Sequence, residues 1–216
     1  VTRHGYGVPL EHTRLIEAGH PVPDDGSLRG AEAALEAAGS AEADDLVLVL
    51  LSGGASALCA APVPGLTLDD KRALTQALLR SGATISQINC VRKHLSRFKG
   101  GRLTARAAPA RVVTLAISDV PGDAPDAIGS GPSVPDPTTL TDARQVLADF
   151  GIAPGPAVAA ALNDPANETP KPGDAAFANA KYTLAATAAQ SLEAAAEQAR
   201  ARGYRPVILG DALEGE

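Results

Sequence analysis

Six consecutive aliphatic residues, 46–51 (LVLVLL), end abruptly at a loop of small residues, 52–56 (SGGAS). A short, continuous run rich in Val and Leu is typical of a strand that is covered on both faces, as in a parallel sheet. The glycines and serines that follow leave backbone N–H groups and hydroxyls free to hold an anion such as phosphate. Because α/β sheets bind ligands at the carboxyl ends of their strands, the pattern predicts a ligand site here, with a plain tight turn as the alternative.

Strand-like and helix-like segments alternate along the rest of the chain. Further strands are predicted at 13–17, 111–117, 182–186 and 206–209, and helices at 27–38, 67–80, 84–98, 139–150, 157–162 and 187–203. Strands separated by helices imply right-handed βαβ connections and a mainly parallel sheet. The pattern therefore predicts an α/β scaffold whose Gly- and Pro-rich loops follow its strands.

Composition excludes several classes of protein. The chain has 216 residues, of which 45% are apolar and 20% charged, so we expect a soluble globular protein with no membrane-spanning segment. A net charge of −6 and only three Tyr and three Phe argue against nucleic acid as a partner. Cys59 and Cys90 are too few for a disulfide framework and favour the cytoplasm. Because the chain begins at Val1 and contains no Met, we expect it to be part of a longer protein.

A basic segment stands out in this acidic chain. It begins at Asn89, and its five basic residues, with His94 among them, are Arg92, Lys93, Arg97, Lys99 and Arg102. A solvated helix face is the ordinary reading of such a run. The glycine pair at 100–101, placed where the predicted helix should stop, and the nearby small-residue loop instead favour a positive patch that neutralises a polyphosphate or a carboxylate.

Two aspartates follow the second buried-type strand. Asp119 and Asp123 lie at its carboxyl end, which is a place for carboxylates that hold Mg²⁺, although an Asx turn around 121–122 is the alternative. The Pro-rich segment 168–174 is typical of a surface loop. His4, His12 and His20 lack metal-ligand spacing and are predicted to be structural or surface residues.

Five long and unusual sequence segments, which occur in a fixed order, indicate a resemblance to a known family. They are 17–26 (EAGHPVPDDG), 51–71 (LSGGASALCAAPVPGLTLDDK), 81–103 (SGATISQINCVRKHLSRFKGGRL), 117–139 (ISDVPGDAPDAIGSGPSVPDPTT) and 168–174 (ETPKPGD). Together they resemble the glycerate 2-kinase family, whose C-terminal part is called the MOFRL domain. Some members of that family are labelled hydroxypyruvate reductases.

The resemblance implies an enzyme that uses ATP and Mg²⁺ to phosphorylate D-glycerate at its 2-hydroxyl, giving 2-phosphoglycerate. It implies a Rossmann-like three-layer α/β fold with a mainly parallel sheet and helices on both faces. Residues 1–216 would form most of the N-terminal domain, without an early Gly-rich segment and without the MOFRL domain, so that the chain alone is an incomplete catalyst. The resemblance leaves a homodimer open.

The expected roles combine this resemblance with the residues. Phosphate or substrate binding is expected of Ser52, Gly53, Gly54, Ser56, Asn89, Lys93 and His94; a catalytic role of Asp119, Lys99 and Arg102; and Mg²⁺ binding of Asp119 and Asp123. Two other functions stay open. The first is an NAD(P)H-dependent hydroxypyruvate reductase, against which the missing GxGxxG motif counts. The second is a non-enzymatic module that binds a sugar acid or phosphosugar.

Overall fold

The computed structural model describes residues 1–211 and arranges them as strands alternating with helices. The strands are β1 (Thr2–Arg3), β2 (Glu17–Ala18), β3 (Leu46–Leu51), β4 (Arg111–Ile117) and β5 (Ala180–Ala186). The helices are α1 (Asp25–Gly39), α2 (Ala55–Leu58), α3 (Leu68–Arg80), α4 (Ile85–His94), α5 (Arg102–Ala107), α6 (Leu140–Asp149), α7 (Pro156–Asn163) and α8 (Ala188–Ala201). None of these helices is long and apolar enough to cross a membrane.

The main sheet is parallel, in the order β3-β4-β5, and β1 pairs with β2 in a second small parallel sheet. In the main sheet Leu51 lies opposite Ala116, which lies opposite Leu184. The carboxyl ends of all three strands therefore meet at one edge, and the loops that follow them converge there. The predicted α/β fold with a mainly parallel sheet is confirmed.

Side-chain caps fix where five helices begin. The helices α1, α3, α4, α6 and α8 each start at a capping box, in which the side chain before the helix accepts a hydrogen bond from the third helical residue and the reverse bond also forms. Such a cap stabilises a helix by about 1 kcal/mol. The helix starts predicted at 67, 139 and 187 coincide with the capping boxes of Thr67, Thr139 and Thr187 and are confirmed.

The helix predicted over 84–98 ends earlier, at His94. Beyond it the backbone pairs with a distant segment, because the Val63 N–H donates to the Leu95 carbonyl and the Arg97 N–H donates to the Ala61 carbonyl. These tertiary hydrogen bonds replace the helical ones, so Arg97 and Lys99 follow an irregular path before α5 begins at Arg102. A sequence pattern alone does not report such a pairing.

Two strand predictions also change. Of the segment 13–17 only Glu17 lies in a strand, as the first residue of β2, and 206–209 forms no strand, with Val207 and Leu209 exposed. An extended segment becomes a strand only when a neighbour takes up its backbone hydrogen bonds, and within residues 1–211 none does so for 206–209.

Helices cover one face of the main sheet. Residues of α1 and α5 pack on Val47, Val49 and Val112, while α3, α4, α6 and α7 form a separate helical core. Since side chains alternate across a strand, the second face carries Leu46, Leu48 and Leu50, which are exposed within the described residues. The expectation that this strand is covered on both faces is therefore wrong for residues 1–211.

We expect the helical core to respond to the loss of single side chains. Leu78 is 1% exposed and Leu79, its neighbour on α3, is 59% exposed. Leu78→Ala should lower the free energy of unfolding by about 2–5 kcal/mol, because it leaves a cavity. Leu79→Ala should change it by less than about 0.5 kcal/mol. Urea unfolding measures both, and equal losses would contradict this assignment of the core.

Candidate functional site

The loop Ser52–Ser56 lies at the carboxyl end of β3, where it continues into α2. Gly54 has φ = +82°, a backbone conformation that favours glycine. A Cβ atom on Gly53 would clash with Oδ2 of Asp119, and one on Gly54 would lie 3.1 Å from the His20 ring. Both glycines thus permit close approach, and they bring Asp119 and His20 against the same loop.

The carboxylates after β4 are open to solvent. Asp119 is exposed, and Asp123 is half-buried in a turn with φ = +55°. Within residues 1–211, no three His, Cys, Asp or Glu side chains are grouped so as to hold a metal ion. Mg²⁺ usually keeps several waters and takes one or two carboxylates together with substrate phosphates. Two carboxylates therefore fit a nucleotide-bound Mg²⁺ and do not fit a closed protein cage.

A chain of hydrogen bonds connects the small-residue loop to α4. The hydroxyls of Ser56 and Ser130 lie 2.9 Å apart, and Ser130 Oγ donates to Asn89 Oδ1 at 3.0 Å. Ser130 is fully buried and has φ = +62°, so the backbone at this point is held in a conformation that is rare outside glycine. The structure thus brings Ser56 and Asn89, both predicted binding residues, into one buried network.

Lys93 and His94 are buried among groups of the protein itself. Lys93 Nζ donates to Asp126 at 2.8 Å and to Asp136 at 3.3 Å. His94 Nδ1 lies 2.8 Å from the Cys90 carbonyl, and Nε2 lies 3.0 Å from Glu168. The reading of this helix face as solvated is therefore wrong, and the roles of Lys93 and His94 towards a ligand stay predictions.

The Pro-rich segment 168–174 is anchored at its start. Arg102 Nη2 donates to the carbonyls of Asn167 and Glu168, and Thr169 is buried. Burial by itself raises the pKa of the Glu168 carboxyl, but hydrogen bonds from the Leu140 N–H, Lys171 and His94 lower it to about 2. The prediction of a plain surface loop is wrong for this part, because its polar groups complete the buried network.

Lys99 and Arg102, predicted to act together, lie against different cavities. Lys99 is 2% exposed, and its Nζ donates to the carbonyls of Ser56 at 2.7 Å and Cys59 at 3.2 Å. Burial lowers the pKa of its ammonium to about 7, with Cys59 acting in the opposite direction and Arg92 in the same direction. Lys99 thus ties α2 to the segment after α4.

Two residues beside this loop are not among the predicted site residues. His20 contacts Gly54, and Lys71 lines the same cavity as Lys99. Lys71 directly follows Asp70, the third residue of α3, and lysine is rarely fully buried unless it is paired. The sequence predicts His20 to be a structural or surface residue, although it lies in segment 17–26 of the family resemblance.

Comparisons with known proteins relate this chain to one family. Residues 1–163 match the family described as "Domain of unknown function (DUF4147)". A protein of Agrobacterium vitis named "Putative hydroxypyruvate reductase" is 52% identical over 100% of this chain and 48% of its own length. Glycerate 2-kinase of Pyrococcus horikoshii is 41% identical over 100% of this chain and 50% of its own.

Comparison of the fold with solved structures also indicates a relationship to glycerate kinases. A crystal structure of glycerate kinase from Thermotoga maritima matches with a TM-score of 0.85 and 40% identity, covering 96% of this chain and 49% of that one. The chain spans about half the length of the curated relatives it matches. The similarity to the glycerate 2-kinase family, first indicated by the sequence segments, is confirmed.

We expect stability to depend on the charge of Lys99. Its pKa falls from 10.5 to about 7 on folding, so between these values the unfolded chain binds the extra proton and stability rises with pH. At ~1.4 kcal/mol per pKa unit, the wild type should gain about 2 kcal/mol relative to Lys99→Met between pH 7 and pH 9.

Urea unfolding at the two pH values measures this difference. Lys181→Met, which removes an exposed lysine on β5, should keep the pH dependence of the wild type. If Lys99→Met gains as much stability as the wild type over this range, Lys99 does not titrate near neutral pH.

Proposed function

This chain belongs to the family described as "Domain of unknown function (DUF4147)", and we propose that the full-length protein uses ATP to phosphorylate D-glycerate at its 2-hydroxyl. The observation that carries the proposal is the likeness to glycerate kinases at 40–41% identity over 96% or more of the chain. Residues 1–216 then form most of an N-terminal Rossmann-like domain, and the activity belongs to the longer protein. We place its action on small molecules in the cytoplasm, without a nucleic acid or membrane partner.

The reaction needs positioned groups more than covalent chemistry by the protein. The 2-hydroxyl oxygen of glycerate attacks the γ-phosphorus of ATP, the bond from that phosphorus to the bridging oxygen breaks, and ADP leaves. The hydroxyl proton passes to a carboxylate, a role that we give to Asp119. Its contact with Gly53 supports this role, because it places the carboxylate beside a loop suited to phosphate.

Mg²⁺ is part of the proposal, with Asp119 and Asp123 as its protein ligands. When bound, the ion neutralises phosphate charge. The loop Ser52–Ser56 holds a phosphate through its backbone N–H groups and hydroxyls, with the glycerate carboxylate as the other anion it would suit. Lys99 supplies positive charge next to this loop.

The remaining predicted residues act by positioning. Asn89 holds the hydroxyl of Ser130 that contacts Ser56, and Lys93 and His94 hold the loops that carry Asp136 and Glu168. Arg102 fixes the backbone at 167–168. These contacts support a preorganised site in which the reacting groups are kept in place by buried hydrogen bonds.

A reductase is the second candidate, because two relatives at 52% and 49% identity carry the name hydroxypyruvate reductase. The loop after β3 lacks the GxGxxG pattern that brings a helix N-terminus to a dinucleotide, and α2 after it spans only Ala55–Leu58. Oxidation of NADH or NADPH in the presence of hydroxypyruvate would favour the reductase.

We expect the full-length protein to form 2-phosphoglycerate from ATP and D-glycerate. Asp119→Asn should lower kcat by about 10²-fold or more, because it removes the proton acceptor and a metal ligand. Asp44→Asn, at the opposite end of β3, should leave kcat unchanged because Asp44 is exposed and distant in the sheet.

Product analysis by NMR identifies which hydroxyl is phosphorylated. Formation of 3-phosphoglycerate, or of no product in the presence of Mg²⁺, would refute the proposal. Full turnover by Asp119→Asn would refute the role of that carboxylate alone.

A further inference from the structure

A cavity of about 370 Å³ lies between the turn at 20–23, α2, α3 and the residues at 92 and 99. Its size is within the range of small-ligand sites. Four basic side chains line it, Lys71, Arg72, Arg92 and Lys99, and no Asp or Glu is among the described residues that do. The rest of the wall is largely apolar. The cavity is therefore a positively charged pocket in a chain whose net charge is −6.

Three of these cations have no carboxylate partner within residues 1–211. Lys71 is 8% exposed, and its Nζ donates to the Leu95 carbonyl at 3.0 Å. Lys99 donates only to the carbonyls of Ser56 and Cys59, and half-buried Arg92 forms no ion pair with a described residue. Arg72 differs, because it binds Asp69 and the Pro23 carbonyl.

Lys93 shows, by contrast, how a buried cation with a structural role is paired. Lys93, one position from Arg92, is paired with Asp126 and Asp136. A buried charge without a counter-charge is unfavourable by several kcal/mol. Accordingly, burial lowers the pKa of Lys71, which Lys99 and Arg92 lower further, and burial also lowers the pKa of Arg92. An anion bound in the cavity would supply the missing counter-charge and so offset the free-energy cost of burying these cations.

Resting on the proposed kinase activity, we infer that this cavity binds a phosphoryl group held by Lys71, Arg92 and Lys99. A phosphate monoester carries a charge of about −1.5 to −2 near neutral pH, which would favour the protonated forms of Lys71 and Lys99 beside Arg92 more than a single carboxylate would. The planar donors of Arg92 suit two phosphate oxygens, and the lysines add point charges. The apolar wall from Pro21, Ala57 and Leu68 suits the organic part of such a ligand.

The cavity is connected to the loop Ser52–Ser56. Gly54 and Ser56 line it, whereas Ser52 and Gly53 line a separate cavity beside β3. The loop therefore divides two spaces, and Lys99, bound to the Ser56 carbonyl, reaches it from the basic side. A phosphoryl group in the cavity would lie next to the loop that the proposed reaction uses. Its source is ATP or the phosphorylated product.

Binding to the full-length protein tests the inference. We expect Lys71→Met and Arg92→Gln each to weaken binding of ATP or of 2-phospho-D-glycerate by about tenfold to a hundredfold in isothermal titration calorimetry, as for a lost charge-assisted hydrogen bond. The ligand whose affinity falls identifies the source. Arg80→Gln, which removes an exposed charge from the same helix as Lys71, should bind both ligands like the wild type.

Unfolding without ligand separates a ligand site from a structural role. Because Lys71 has no counter-charge, Lys71→Met should be at least as stable as the wild type and should lose stabilisation by the phosphorylated ligand. Unchanged affinity of both variants for ATP and 2-phospho-D-glycerate would overturn the inference, as would a loss confined to D-glycerate or a marked destabilisation by Lys71→Met. If glycerate is not phosphorylated but the variants still lose phosphate binding, the proposed function fails and the phosphoryl site stands.

Discussion

The buried ion pair of Lys93 with Asp126 and Asp136 holds the loops at the carboxyl edge of the sheet in place. Asp136 is fully buried, and it also accepts hydrogen bonds from Thr138 and Thr169. Helix α4 is fixed by its own apolar side, which packs into the helical core. The ion pair with Asp126 connects α4 to the loop after β4, which carries Ser130 at the end of a 3₁₀ turn at 128–130.

The cations of the basic segment 89–102 therefore differ in their partners. Lys93 and His94 meet carboxylates of the protein, whereas Arg92 and Lys99 meet none within residues 1–211 and line a cavity with Lys71. The two pairs of residues lie together within positions 92–99 of the sequence. Removing Asp136 would leave Lys93 with the half-buried Asp126 as its carboxylate partner, whereas an anion in the cavity would supply a counter-charge to Lys71, Arg92 and Lys99. Within this segment, Lys93 and His94 therefore stabilise the fold, whereas Arg92 and Lys99 are placed to bind a ligand.

The sequence predicts the elements whose signals are local. The strands predicted at 46–51 and 111–117 and the helix start predicted at 67 agree with the structure, because a strand pattern and a helix cap depend on neighbouring residues. The early end of α4 and the exposed face of β3 depend on tertiary contacts, which no local pattern reports. The sequence does not predict Lys71 as a site residue for the same reason. Its role depends on its burial, which the residue type alone does not report.

The most direct measurement is a crystal structure of the full-length protein with 2-phospho-D-glycerate and, separately, with a non-hydrolysable ATP analogue. We expect a phosphoryl group of one ligand within about 3 Å of Lys71, Arg92 and Lys99, with the pair of Lys93 and Asp136 intact. A phosphoryl group bound instead by Lys93 or His94, with Asp136 or Glu168 displaced, would contradict the division of the basic segment into structural and ligand-binding cations.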